Sequence, residues 1–306
     1  MSAELDHLRT WIGRTQTERE VVTERLVTQL AATLDCERAP RTGEPLPPLW
    51  HWSLFPHIVR HARVGMDGHP ERGGFLPPVA LPRRMWAGSR VHFERPILIG
   101  REVSRTSQIL DVGAKAGRSG QLVFVRVLHQ IEDADGPLLS EEQDIVYREA
   151  SGQTAAPKAA TLPAPGEYSW RTEIVPDPVL LLRYSAVTFN GHRIHYDRPY
   201  AMAEEGYPAL VVHGPLTATL LVEHVRRNLP GAPIAAFSFK AIGPIFDHEP
   251  FYLCALHDPL SAQIKVWAEN VRGQLCVDGL VTLCGASQTH GVKPRSFNPH
   301  SRDFIK

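Results

Sequence analysis

The sequence predicts an α+β protein of two tandem antiparallel sheets, the second wrapped around a long central helix. Three observations carry that prediction. Four strand-like runs between residues 91 and 148 are separated by turn-forming clusters, four more follow residue 235, and the second set is preceded by an amphipathic helix opening at Pro215. Helix followed by strands, with no strand–helix alternation, is an α+β order and not that of a parallel sheet. A length of 306 residues suits two domains, each able to bury its own core.

Taken in order, residues 17–35 read as one helix, with Thr17 as cap, Glu18 and Glu20 in the first turn, and Leu26, Leu30 and Leu34 stacked on one face. From Pro40 to Pro96 the chain is rich in Pro, Gly, Trp and Arg and predicts little regular structure. Its aromatic content makes it an ordered cover over something rather than a disordered tether. Four strands are then expected at 91–103, 108–116, 122–131 and 138–147, where Val123, Val125 and Val127 alternate with Phe124 and Arg126. Ser151 to Gly166 is rich in Ala and Pro and poor in bulky apolar side chains, so it reads as a linker between a domain at 1–150 and another at 167–306. The second domain should open with a short strand at 170–175. Its helix from Pro215 to about Asn228 carries Leu216, Leu220, Leu221, Val225 and Leu229 on a wide apolar face, and strands follow at 235–241, 251–257, 262–270 and 274–284.

Composition narrows the classes of function. Hydrophobic residues at 43% with 22% charged residues are globular, and no apolar run approaches the roughly 18 residues of a membrane span. Lys plus Arg equals Asp plus Glu at 33 each, which gives no reason to expect nucleic acid or an anionic membrane as partner. Cys36, Cys254, Cys276 and Cys284 lack Cys-x-x-Cys spacing, and the first residues carry no export signal. A reducing cytoplasm is expected. Homo-oligomerisation is left open.

The chemistry concentrates between residues 184 and 216. Asn190, His192, His195, Tyr196 and Asp197 lie within eight residues, and Gly214-Pro215 opens the long helix. Pro suits a first helical position, and a Gly before it lets a ligand approach the backbone closely. The unpartnered N–H groups at such a start favour an oxygen that gains negative charge, which makes Gly214 an oxyanion candidate. His195 is the candidate general base, because a neutral imidazole is available near pH 7. Its bland alternative is a structural histidine bonded to backbone. Tyr196 and Asp197 are expected to orient the ring or cap a helix near Pro199, and His213 to position Gly214. His192, His195 and Asp197 could suggest a metal, but no third convincing ligand flanks the segment, so none is expected.

The run Tyr184-Ser-Ala-Val-Thr-Phe-Asn-Gly-His-Arg-Ile-His-Tyr-Asp197, followed by Val212-His-Gly-Pro-Leu216, resembles the MaoC-like (R)-specific hydratases and dehydratases. It is closest to their two-domain branch, the type 2 hydroxyacyl-thioester dehydratases and the mesaconyl-C4-CoA hydratases. The resemblance implies a double hot-dog fold whose first half keeps its sheet but loses most of its central helix. The vacated groove would accommodate the acyl chain or coenzyme A. Asn190 stands where the broader signature has an aspartate; an amide transfers no proton at neutral pH, so it would orient water or hold His195, and the source of the second proton stays open between His195, His192 and water.

The expected activity is reversible hydration of an α,β-unsaturated acyl-CoA, with no cofactor, coenzyme A being part of the substrate. A short branched dicarboxylic acyl group, mesaconyl-C4 or itaconyl, is favoured, and a fatty-acyl dehydratase is the runner-up. A non-catalytic acyl-CoA-binding hot dog or a thioesterase would use the same fold. Arg83, Arg84 and Trp86 in the first half, with Arg193 in the motif, are the candidate substrate-binding residues, since guanidinium pairs bidentately with carboxylate and phosphate.

Overall fold

The computed structural model describes residues 2–117, 120–149 and 162–285. Helix α1 (Ser2–Arg9), strand β1 (Thr15–Val21) and helix α2 (Glu24–Thr33) lead into a long irregular segment, then β2 (Arg83–Phe93), β3 (Glu102–Gly117), β4 (Gly120–Asp133) and β5 (Gly136–Arg148). The second half runs β6 (Trp170–Ile174), α3 (Pro178–Val187), α4 (Arg198–Ala203), α5 (Gly214–Asn228), β7 (Ile234–Ala241), β8 (Phe251–His257), β9 (Gln263–Asn270) and β10 (Leu275–Leu283). No described helix is long and apolar enough to cross a membrane.

All ten strands form one antiparallel sheet in the order β1-β3-β4-β5-β2-β7-β10-β9-β8-β6. Read from its two outer edges inward, each half has the same topology, so the sheet is a duplicated five-stranded unit joined at β2 and β7. Gly88 at that seam pairs with Lys240, and a Cβ there would collide with the Phe239 carbonyl. Between its first and second strands, the second half carries α5, in which every residue from Leu216 to Val225 is buried. The first half carries only the ten-residue α2 at that place. This is the double hot dog that the motif implies, with the helix of the first half curtailed. The largest core cluster draws on both halves, from Val27, Trp50 and Val91 to Leu216, Phe237 and Val266.

Several expectations need correction. Residues 15–21 are an edge strand paired with β3, and the helix begins only at Glu24, after Thr23 accepts from Leu26 N. The alternating Thr-Gln-Thr-Glu-Arg-Glu-Val pattern suits an edge strand better than a helix. The expected strand at 91–103 breaks around Pro96, which has no N–H to donate, and β2 reaches back to Arg83, so Arg83, Arg84 and Trp86 lie on a strand rather than in the cover loop. Helices α1 and α3 have no counterpart in the sequence reading. The linker lies largely outside the described residues; Pro163, at its end, bridges to Gln274.

A cavity of about 260 Å³ is lined by residues that include His51, Trp52, Arg105, His129 and Glu141 from the first half and Thr188 from the second. Glu141 is buried and accepts from Ser89 Oγ (2.6 Å) and Trp52 Nε1 (2.9 Å), with His51 Nε2 at 3.3 Å. Burial alone would raise its pKa; the hydrogen bond and charge of His51, with His129 and Ser89, outweigh that and hold it at about 2.

Candidate active site

The motif folds as a chain of short turns between α3 and α4. Asp177 caps α3 by accepting from Val179 N and Leu180 N. Beyond its end, Phe189 takes a positive φ of 54° and Asn190 N donates back to Ser185 O. Asn190 Oδ1 then accepts from His192 N at 3.0 Å, an Asx turn that fixes the approach to the 3₁₀ turn Arg193–His195. Asp197 caps α4 through Tyr200 N, as the sequence predicts, and Tyr196 Oη donates to Gly191 O.

His195 is buried, and its Nδ1 lies 2.7 Å from Val211 O. A carbonyl only accepts, so Nδ1 carries the proton and Nε2 presents a lone pair. Burial pushes this imidazole down to about 4, the Val211 bond opposing and His69 adding to the effect, so the ring is neutral near pH 7. His213, fully buried, stacks on it at 3.7 Å between centroids and is fixed by Ser185 Oγ at 2.8 Å from its Nε2. Burial and the nearby His195 keep His213 neutral as well. His213 precedes Gly214 at the start of α5, as expected, and beyond its chain neighbours and its own helix backbone nothing lies within 4 Å of where a Gly214 Cβ would project. The base candidate and the helix start therefore adjoin, with open space at the glycine.

The expected arginines separate. Successive residues of a strand face opposite ways. Arg83 is buried, with Nε 3.0 Å from Glu205 Oε2 and Nη2 donating to Glu205 O, and so is neutralised inside the protein. Arg84 lies opposite Tyr147 across the β2–β5 pairing and forms no salt bridge among the described residues; its charge opposes the burial-driven rise of the Tyr147 pKa and disfavours a proton on Asp67, His69 and His192. Arg193 is likewise engaged internally: it pairs with Asp197 Oδ2 through Nε and Nη2, donates to Met66 O and lies over the Tyr200 ring. Trp86 donates to Ser89 Oγ, packs on Trp52 and lines the first-half cavity.

Sequence reasoning missed the loop that closes over the motif from the first half. Arg193 N donates to Asp67 O, and Gly68, at φ +87°, lies so close to Gly191 that a side chain on either would meet the other's carbonyl. Asp67 accepts from His69 N (3.0 Å) and from His69 Nδ1 (3.1 Å). The His69 ring sits 4.1 Å from that of His192, which is 5.4 Å from His195. Burial and Arg84 lower the His69 pKa while Asp67 raises it, the balance falling below its ordinary value; burial and the neighbouring cations and rings lower His192 further. Donor atoms of Asp67, His69 and His192 lie within 4.8 Å of one another, the one such metal-sized cluster among the described residues. The Asp67–His69 hydrogen bond and the adjacent Arg84 charge suit a proton-bearing pair better than a cation. The only signal in the sequence was Asp67-Gly68-His69 itself, a tight turn ahead of Pro70.

Comparison with known proteins identifies the family. The chain is 46% identical over 276 residues to the mesaconyl-C(4)-CoA hydratase of Chloroflexus aurantiacus, covering 90% of this chain and 97% of that protein. It is 28% identical over 233 residues to the mitochondrial hydroxyacyl-thioester dehydratase type 2 of Schizosaccharomyces pombe, covering 68% and 77%. The crystal structure of a MaoC-like dehydratase from Phytophthora capsici superposes with a TM-score of 0.67 at 14% identity, over 94% of this chain and 99% of that one. The family model described as hydroxyacyl-thioester dehydratase type 2 matches residues 49–247, and the chain belongs to that family of hydro-lyases.

Proposed function

We propose that the protein reversibly hydrates a short branched enoyl-CoA that carries a second carboxylate, of the mesaconyl-C4-CoA kind. The thioester oxygen would lie at the Gly214 N–H, the dipole-favoured place for the enolate that forms as water adds. His195, stacked on the His213 that precedes Gly214 and presenting an Nε2 lone pair, is the acid–base group. Coenzyme A enters as part of the substrate, and this chemistry calls on no other cofactor.

The observation that carries the dicarboxylic reading is Arg84, a cation beside the histidine cluster with no salt bridge among the described residues. Its charge complements a carboxylate near the reacting carbons. The 46% identical relative named for mesaconyl-C4-CoA supports the same choice. A dehydratase of longer acyl chains is the second reading: the first-half cavity sets Trp52, Phe55, Phe75 and Ile131 beside His51, Arg105, His129 and Glu141, so apolar and polar groups share its lining. Four unpaired cysteines fit a reducing, cytoplasmic setting.

Arg84→Met tests the assignment. Removing a charge-assisted contact of about 1.5 to 3 kcal/mol should lower kcat/KM for mesaconyl-C4-CoA by about one to two decades. Crotonyl-CoA, lacking the carboxylate, should be little changed. Equal losses for both substrates that shrink in high salt would move Arg84 to the coenzyme A phosphates and reject the dicarboxylic reading.

A further inference from the structure

We infer that Asp67 and His69 form a second acid–base group, which handles water at the β carbon and leaves His195 to exchange the proton at the α carbon. The inference rests on the hydration reading above. Addition of water needs one group to take a proton from the water and one to give a proton to carbon. Of the two imidazoles at the helix start, His213 is fully buried with its Nε2 held by Ser185 Oγ, which leaves His195, and Asn190, at the position of the signature's carboxylate, spends its Oδ1 on the His192 N–H and moves no proton.

His69 has the geometry of the missing partner. Its bond to Asp67 Oδ2 at 3.1 Å assigns the proton to Nδ1, holds the ring and turns the Nε2 lone pair to the other side, the arrangement by which a carboxylate prepares an imidazole for proton transfer. The loop bearing it is fixed on the motif by the Gly68–Gly191 apposition and by Arg193 N donating to Asp67 O. The ring lies against His192 and beside Arg84. In mesaconyl-C4-CoA the carboxylate is attached to the carbon that water attacks. A cation that holds this carboxylate brings the β carbon to the His69 side, while the thioester at Gly214 brings the α carbon to His195.

The step balances with one proton shared by the two rings. In hydration, His69 Nε2 takes a proton from water as the oxygen bonds to the β carbon. The π pair of the Cα–Cβ double bond moves to form the enolate at the Gly214 N–H. Hydration runs from the state in which the shared proton sits on His195, a minor state near pH 7 because burial favours the neutral ring, and that His195 delivers its Nε2 proton to the α carbon as the enolate collapses to the thioester. The proton left on His69 returns to His195 through His192, whose ring lies between them, or through solvent. A bound carboxylate offsets the Arg84 charge, which otherwise disfavours a proton on His69.

The test starts from the 3-hydroxyacyl thioester in D2O and follows two readouts: dehydration by ultraviolet absorbance and deuterium entry at the α carbon by mass. His69→Gln should lower dehydration by about 10²- to 10³-fold while α-exchange stays within about threefold of the parent. Asp67→Asn, which keeps the ring, should lower dehydration about tenfold with the same preserved exchange, and should shift the alkaline limb of the dehydration pH profile to lower pH, because His69 gives its proton in that direction and a charge that raises its pKa is gone. His195→Gln should lose both readouts. If both His69→Gln and Asp67→Asn dehydrate like the parent, or lose exchange and dehydration in proportion, the assignment is overturned. A parent protein that hydrates no enoyl-CoA would sink the hydratase reading itself, and is told apart by failing before any substitution.

Discussion

His195 and Asn190 sit five residues apart, yet the structure gives them different tasks. His195→Ala should abolish hydration with the fold retained, since the ring's only backbone tie is to Val211 O; activity within about tenfold of the parent, or about 1.4 kcal/mol, would exclude it as the acid–base group. Asn190→Asp should keep turnover within about tenfold, because the Asx turn uses Oδ1 and a carboxylate oxygen can replace it. A collapse in kcat would mean that the amide NH2 has to donate. At this scale the motif was legible because its residues are contiguous. The roles of Arg83, Arg84 and Arg193 were not, because which arginine is neutralised depends on strand facing and on Glu205 and Asp197 meeting them in space.

Among the elements, the Met66–Pro70 loop is the most exacting. Gly68→Ala adds a strained φ and a collision with the Gly191 carbonyl, so the loop must lift from the motif. We expect kcat to fall at least about tenfold, with a thermal midpoint only about 2 to 4 °C lower, since the core clusters do not draw on this loop. Unchanged kinetics, with crystals showing the loop in place, would refute the docking. Strands β3 to β5 and β7 to β10 could be read from alternation and turn chemistry, and α5 from its apolar face. Strand β1 was misread because Glu18, Glu20 and the later leucines mimic a helix start, while its pairing with β3 spans most of 100 residues of sequence. Helix α3 starts at the Asp177-Pro178 signal and runs into the motif, where the β-branched Val187 and Thr188 mask its end.

For the whole molecule, the continuous sheet and shared core predict a single cooperative unfolding transition. The β2–β7 pairing is reinforced by Trp50 Nε1 donating to Glu223 Oε1 across the halves at 3.0 Å. Calorimetry should give matching van't Hoff and calorimetric enthalpies; two resolved transitions would contradict it. Acid should weaken the fold in a defined window. His195 at about 4 and Glu141 at about 2 both bind protons less readily folded than unfolded, so their contribution is complete above about pH 6.5 and 4.5 respectively, and is lost as pH falls through the folded values. Chemical denaturation between pH 7 and 3 should show stability falling, and Glu141→Gln should flatten the lower part of that curve. The duplication itself could be suspected from four strands ending each half, but the identical strand order appears only in three dimensions.

The docking of the first-half loop on the motif also bears on ancestry. Once a half that has surrendered its central helix lends its neighbour Asp67 and His69, the pair can no longer revert to two copies of one shorter chain. Under that dependence each half would drift only as far as the other permits, in keeping with one strand order shared by two halves that no repeated letters link.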